Sequence, residues 1–493
     1  MLAEACLLLA LFSSTRVLAA TTGKPYVGAY YAGYSSLSPA NIPYSSLSNI
    51  NFFVATTTGN GGLSFSSTTD SIINATIAGA KKTNTSVSLT IGGWTGSAYF
   101  SYDVGNAANR TAFAKVINAT VAHYGFSGVD IDWEYPGQQG NSGNVISPND
   151  TANFALFLTT LRSVLGAKPI ISLAVSVGGL RDANGNALTT YSSFLSSVDY
   201  LMLMNYDVWG PYGQGVSGPN APLYACSAQT GNPFSAYQAV RYFTKAGWPA
   251  SRLILGVPSY SHAFSTSGTS LTSTKCGTTT SYLYQSGPVS NTAAANALDE
   301  STFAALISGG YLNSAGTAGA NGYTRVLDTN SSTPFLFNSK AEILISYDDA
   351  QSMGLKGTFA KQNGLAGLSM FELSGDTPTH TLLNAYRSAF LPSATTTTSS
   401  TTTVKTTATA TSSKVTTSAT PAAAVKRTLS RIAKRLAFAI IPAPSPGFAI
   451  IPITPSRSSP SQGVSIASVE HPTWRFGPLG SLLSQIAQEL GSL

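Results

Sequence analysis

The chain is short of charge. Asp, Glu, Lys and Arg make up 10% of its 493 residues, and most of the molecule has no large charged face with which to grip nucleic acid. The net charge of +7 does not change this, because it is unevenly placed. From residue 393 onward nine Lys and Arg stand against Glu470 and Glu489, so residues 1–392 carry 18 of each sign and are neutral. No nucleic-acid partner is expected. Cysteine is scarce as well: Cys6, Cys226 and Cys276 are too few for a disulfide-built scaffold or a thiolate zinc site. Every apolar run falls short of the ~20 residues that cross a bilayer, so no transmembrane span is expected. No Gly-X-Gly-X-X-Gly follows the first apolar strand, which removes the main reason to expect a dinucleotide. The four histidines form no cluster and accompany no serine nucleophile motif, so neither a metal, a cofactor nor a Ser-His-Asp hydrolase is expected. What is abundant is Ser, Thr, Asn, Gly and Tyr. That composition suits an uncharged, hydrogen-bonding ligand on which aromatic rings can stack.

Met1 to Ala20 holds an apolar run, Cys6 to Phe12, followed by Val17-Leu18-Ala19, and reads as a secretory signal with a small-residue cleavage pattern. A secreted, extracellular or cell-wall location is expected. Sequons at Asn74, Asn84, Asn109, Asn118, Asn149 and Asn330 are compatible with it. Removal of the signal leaves Cys226 and Cys276, which either close one disulfide in an oxidising compartment or stay as two buried thiols.

Residues 26–391 alternate short apolar strands with amphipathic helices. The strand candidates are Tyr26–Tyr31, Ile50–Ala55, Val87–Ile91, Gly128–Trp133, Ile170–Val175, Tyr200–Asn205, Leu253–Val257 and Gly367–Phe371. Helical spacing fills 70–82, 106–123, 149–165, 234–246, 347–363 and 377–391. In the third of these, Ser147-Pro148-Asn149-Asp150 supplies a cap and an early acid. Eight βα units predict a (β/α)8 TIM barrel, an α/β fold, rather than an open doubly wound sheet. Residues of about 259–340, rich in Ser, Thr, Gly and Tyr, make a small α+β insertion between strands seven and eight. The catalytic domain is therefore expected over 21–392. Residues 393–424, nearly all Ser, Thr and Ala at their core, read as an extended spacer, and 425–493 as a basic, disordered C-terminal tail.

The chemistry concentrates in Gly128–Glu134, Gly-Val-Asp-Ile-Asp-Trp-Glu. Residues two apart on a strand share a face, so Asp130, Asp132 and Glu134 project one way with Cα atoms roughly 6.6 Å apart. Carboxylates that close on a buried face cannot all ionise comfortably, and one should hold its proton near neutral pH. A protonated carboxyl beside ionised neighbours is what a general acid requires. Val129, Ile131 and Trp133 alternate onto the opposite face and read as core.

Five segments in order resemble the family 18 glycoside hydrolases, and within them secreted fungal-type chitinases with an insertion lobe. They are Thr90-Ile91-Gly92-Gly93-Trp94, Gly128–Glu134, Met204-Asn205-Tyr206-Asp207, Gly256-Val257-Pro258-Ser259-Tyr260, and Gly364–Phe371 preceded by Tyr347-Asp348-Asp349. The resemblance implies retaining hydrolysis of β-1,4-linked N-acetylglucosamine polymers, chitin above all, with the substrate's acetamido oxygen as nucleophile. It makes Glu134 the general acid and base, Asp132 the acceptor of the acetamido N–H, Asp130 its proton-sharing neighbour, and Tyr206 the donor to the acetamido carbonyl. It places Trp94, Gly93, Met204, Asp207, Tyr260 and Phe371 against sugar. A monomer is expected. Three departures stand out: Ser127 where the extended motif has an acid, Phe371 where the family has tryptophan, and His262 where many members have arginine. An endo-β-N-acetylglucosaminidase acting on N-glycans, a chitin-binding lectin of the same fold, and a carboxylate-bound metal hydrolase are the competing readings.

Overall fold

The computed structural model describes residues 25–212, 215–229, 231–287 and 292–391. The expected signal segment, spacer and basic tail lie outside them. Eight parallel strands are present: β1 (Tyr26–Ala32), β2 (Asn49–Thr57), β3 (Ser86–Gly92), β4 (Gly128–Asp132), β5 (Ile170–Ser176), β6 (Tyr200–Met204), β7 (Leu253–Pro258) and β8 (Gly367–Phe371). Each pairs with its neighbour in sequence, and β8 pairs back onto β1 through Tyr26↔Gly367, which closes the barrel.

Strand alternation sorts the apolar residues into two cores. Val27, Ala29 and Tyr31 of β1 and Val129 and Ile131 of β4 face outward, in one cluster with Phe113, Phe154 and Phe157 of the surrounding helices. Tyr26, Tyr30 and Ala32 of the same first strand face inward, with Phe53, Val54, Met202 and Ile254. Deeper inside, the lining turns polar: Asn49, Asn51, Ser88, Thr90, Asp130, Ser172 and Ser369 are all buried. That is costly unless the groups hydrogen-bond, and Asn49 duly donates to Tyr26 at 2.8 Å while Ser88 donates to Asn49 at 3.2 Å.

Among the described residues six helices of ten or more residues cover the strands: α1 (Asp70–Lys81), α2 (Ala107–Tyr124), α3 (Asp150–Leu165), α4 (Ala236–Lys245), α5 (Ala350–Gln362) and α6 (Thr381–Phe390), with a short one, Phe100–Val104, ahead of α2. The expected (β/α)8 barrel is present, with an α-helix in six of its eight repeats. The β1–β2 connection holds only the 3-10 turns Pro39–Asn41 and Tyr44–Ser46, and the β5–β6 connection has no α-helix. Residues 178–187, Gly-Gly-Leu-Arg-Asp-Ala-Asn-Gly-Asn-Ala, favour turns and close on an Arg181↔Ala187 bridge. Elsewhere local chemistry sets the ends. Thr69, Asn106 and Ser235 cap α1, α2 and α4 through their side chains, and Gly125, at φ 80, ends α2. The α3 start differs from expectation. Asn149 makes no side-chain cap; Asp150 instead turns back, accepting from Ser147 N at 2.8 Å, Gly137 N at 3.2 Å and Ser101 Oγ at 2.7 Å.

Between β7 and β8 the chain builds a four-stranded antiparallel sheet, ordered Thr324–Asp328, Thr333–Asn338, Ile343–Ser346 and His262–Ser265. The short helices Ala293–Asn296 and Phe303–Ser308 accompany it. These elements fill the stretch between β7 and β8, the lobe, from His262 to Ser346. Cys226, in the loop after β6, is disulfide-bonded to Cys276 on the lobe's small hairpin, so the two-thiol alternative is set aside.

The sequons divide by geometry. Asn74, Asn84 and Asn149 are exposed, whereas Asn109 donates its Nδ2 to Tyr102 O at 2.9 Å and the Nδ2 of Asn330 is buried without a partner. Asn118 is half-buried on α2. A glycan is attached through Nδ2, so Asn109 and Asn330 could carry one only by abandoning these arrangements.

Candidate active site

Asp130 and Asp132 point into the barrel from β4, and Glu134 follows just past the strand's end, at the C-terminal mouth where (β/α)8 barrels place their chemistry. All three are buried. Trp133 turns the other way and stacks on Phe100, centroids 5.1 Å apart, and edges Phe154 at 5.2 Å. The aromatic sandwich fixes the strand from behind while the acids face the mouth.

Each acid is treated differently. Asp130 accepts from Ser172 Oγ at 2.6 Å, Tyr30 Oη at 2.9 Å and Thr90 Oγ1 at 3.3 Å. Burial raises its pKa, and these donors pull it back, so it is the best supported of the three as an anion. Asp132 is raised well above the usual carboxylate range by burial first, then by Glu134 and Asp130. Its Oδ1 is buried with no hydrogen-bond partner. Glu134 is pushed up to about 8, by burial first; a hydrogen bond from Tyr135 opposes the rise and the nearby Asp207 adds to it. Asp132 and Glu134 titrate as a pair. Among the described residues no hydrogen bond joins Asp130 to Asp132; their coupling in this conformation is through charge.

Backbone contacts set the positions. Gly93 N donates to Asp132 O at 2.8 Å. A Cβ on Gly92 would lie 2.0 Å from that oxygen, and Gly93 sits at φ 77, so the Gly-Gly pair lets β3 approach the catalytic strand. Gly93 was expected to bind sugar, yet its N–H is committed to the protein. Ser97 serves as a clasp the sequence did not reveal: its Oγ lies 2.8 Å from Gly93 O and 3.1 Å from Asp132 O, and accepts Glu134 N at 3.0 Å. Trp94 is half-buried at the end of β3.

The remaining residues arrive from other strand ends. Tyr206, just beyond β6, is half-buried, and its hydroxyl is held protonated by burial and by Asp132, Asp207, Glu134 and Asp130 in turn. One phenol thus stands among four carboxyl groups. Met204, the last residue of β6, is half-buried. Asp207, at φ 55, takes a hydrogen bond from Tyr260 Oη at 2.7 Å and lies 2.8 Å from His262 Nε2. Tyr260, expected against sugar, gives its hydroxyl to Asp207 and is itself buried, so it supports Asp207. Phe371, last on β8, is ringed by Tyr30 and Phe53 at 5.3 Å, Tyr206 at 5.9 Å and Tyr260 at 6.4 Å. Trp209, a loop aromatic that could have stacked on sugar, is instead core, 5.6 Å from Tyr284. Ser127 is exposed and tied to the backbone of Val87 (Val87 N to Ser127 Oγ, 3.2 Å), away from the triplet.

Tyr30 and Ser172 had a legible signal: each is polar at an inward position of a predicted strand. Ser97 had none, because it meets Glu134 only through loop geometry. Among the described residues no group of three or more His, Cys, Asp or Glu has the spacing to hold a metal ion, and no helix is long and apolar enough to cross a membrane.

The chain is 35% identical over 376 residues to a "chitinase-like effector" of Moniliophthora roreri, covering 72% of this chain and 91% of that one. It is 32% identical over 314 residues to Chitinase A1 of Niallia circulans, covering 60% of this chain and 42% of that protein. Its fold superposes on the crystal structure of a chitinase from Rhizomucor miehei with a TM-score of 0.65 and 29% identity, covering 74% of this chain and all (100%) of that one. Residues 27–376 match the sequence family described as Glycosyl hydrolases family 18, and the chain belongs to that family of glycoside hydrolases.

Proposed function

We propose that the protein hydrolyses β-1,4-linked N-acetylglucosamine chains with retention of configuration, the substrate's own acetamido oxygen displacing the leaving sugar. The observation that carries this is the orphaned Oδ1 of Asp132 beside a protonated Glu134. A buried acceptor without a donor is costly, and an acetamido N–H is a donor of the right kind to satisfy it. Asp132 then orients the acetamido group and balances the oxazolinium charge as it develops. Glu134 protonates the glycosidic oxygen and afterwards deprotonates water. Tyr206 gives its hydroxyl to the acetamido carbonyl, holding it in line. Asp130, anchored by its three hydroxyl donors, keeps a proton on Asp132 before substrate binds and accepts that proton as Asp132 becomes the carboxylate facing the oxazolinium ion. Trp94, Met204 and Phe371 offer apolar surface for sugar.

Chitin oligosaccharides with anomer-resolved product detection test the scheme. The first-formed reducing ends are expected to be β; α products would mean inversion and would sink the substrate-assisted route. The same experiment addresses a second reading, sugar binding without turnover, raised by relatives named "chitinase-like effector" rather than chitinase. Binding with no product would establish it. Activity on N-glycans but not on chitin oligosaccharides would point to an endo-β-N-acetylglucosaminidase.

The pH dependence has a definite sign. The acid form of Glu134 persists up to about pH 8, so kcat/KM should fall as pH rises through that value. An alkaline limb already complete in the ordinary carboxylate range, about pH 4–5, would remove Glu134 from the role. We also propose that the protein is secreted, a reading supported by the disulfide and the exposed sequons, and that it acts as a monomer.

A further inference from the structure

His262 opens the lobe's strand His262–Ser265, two residues after Tyr260, and its side chain is fully buried. Its Nε2 lies 2.8 Å from Asp207 Oδ1 and its Nδ1 lies 2.8 Å from Asp299 Oδ1. A neutral imidazole has one N–H and would aim a lone pair at one of these carboxylates; only the imidazolium donates at both. Asp207 belongs to the loop after β6, whereas Asp299 belongs to the lobe and also accepts from Ala263 N at 3.1 Å. The ring therefore joins the cleft wall to the insertion. The groups facing it are Asp207 and Tyr212 from the loop after β6, Tyr260 from the end of β7, and Asp299 and Glu300 from the lobe. Tyr212 Oη lies 3.0 Å from Nε2. The adjoining strand, Ile343–Ser346, brings no titratable side chain.

We propose that His262 is a cationic positioning residue, a bridge that fixes Asp207 against the insertion lobe so that the sugar-binding wall is assembled only while the ring carries both protons. This rests on the reading of the cleft as a sugar site. Electrostatics agree with the geometry. Burial alone would lower the pKa of the imidazole, but the hydrogen bonds to Asp207 and Asp299 and their charges raise it to about 10. The bridge therefore holds across the range in which Glu134 is an acid. Removing the ring's charge leaves two largely buried carboxylates facing a group that can donate to only one of them. The immediate casualty is the placement of Asp207, which lies close enough to Glu134 to raise its pKa.

The test separates binding from turnover by working in the Glu134→Gln background, with chitotetraose as the probe. The parent is expected to bind at least about tenfold more weakly above the ring's titration near 10 than at pH 9, a step separate from any change near pH 8 as Glu300 ionises. Adding His262→Gln should weaken binding by a similar factor at neutral pH and abolish the alkaline limb. Adding His262→Arg should keep binding tight with no limb, and it remains informative if the glutamine variant fails to fold. Independently, 15N spectra of histidine-labelled protein should show one residue, lost in His262→Arg, protonated on both ring nitrogens at neutral pH. A neutral His262 at pH 7, or a Gln variant binding as tightly as the parent, would overturn the proposal. A parent that binds no oligosaccharide at any pH would instead overturn the sugar-site reading on which it rests.

Discussion

Glu134→Gln is expected to lower kcat on chitin oligosaccharides by about 10³-fold or more, while the dissociation constant for a bound oligosaccharide stays within about threefold of the parent. The substitution preserves size and the ability to accept and donate hydrogen bonds, but an amide cannot release a proton to a leaving glycosidic oxygen. The surroundings make the loss severe. Burial holds Glu134 as an acid up to about pH 8, and Asp130 cannot stand in for it, being occupied by Ser172, Tyr30 and Thr90. Turnover in single-turnover assays, paired with calorimetric binding, checks it. Residual activity within tenfold of the parent would show that the proton comes from elsewhere.

Asp132→Asn should slow the reaction by about 10²-fold or more with little change in affinity. The neutral amide can still meet the acetamido N–H through its oxygen, so the ground-state complex forms. It cannot carry the negative charge that the oxazolinium ion needs as the bond breaks, and the loss therefore appears in kcat rather than KM. A merely twofold effect would mean that the acetamido group is not the nucleophile. Replacement also removes one member of a coupled pair, so the alkaline limb of the variant should move from its parental position, a second reading from the same pH series.

Period-two alternation and turn chemistry were enough to locate all eight barrel strands within two residues of their ends. The segments after β1 and β5 show no helical stripe, and the barrel carries no α-helix there. The acid triplet was legible because strand geometry guarantees a common face for residues two apart. The individual fate of each acid was not. Nothing near Asp130 in sequence foretells that Ser172, 42 positions away, and Tyr30, 100 positions away, will saturate it. Nor does the sequence show that Asp132 Oδ1 will be left without a donor. Tyr260 and Gly93 were read as sugar contacts, and both turn out to be committed to the protein, one to Asp207 and one to Asp132 O. His262 stood alone in the sequence, and only the folding of the insertion lobe brought Asp299 to its other nitrogen.

The chain's order of residues alone determined the barrel and which three carboxyls share one inward face at its mouth, because those follow from repeat period and local sterics. Tertiary structure decided how strongly burial and distant donors act on each carboxyl, which acceptor is left without a donor, and which aromatic rings are committed to the protein. Protonation and hydrogen-bond satisfaction depend on burial and on donors from distant strands, and neither quantity exists until the barrel has closed.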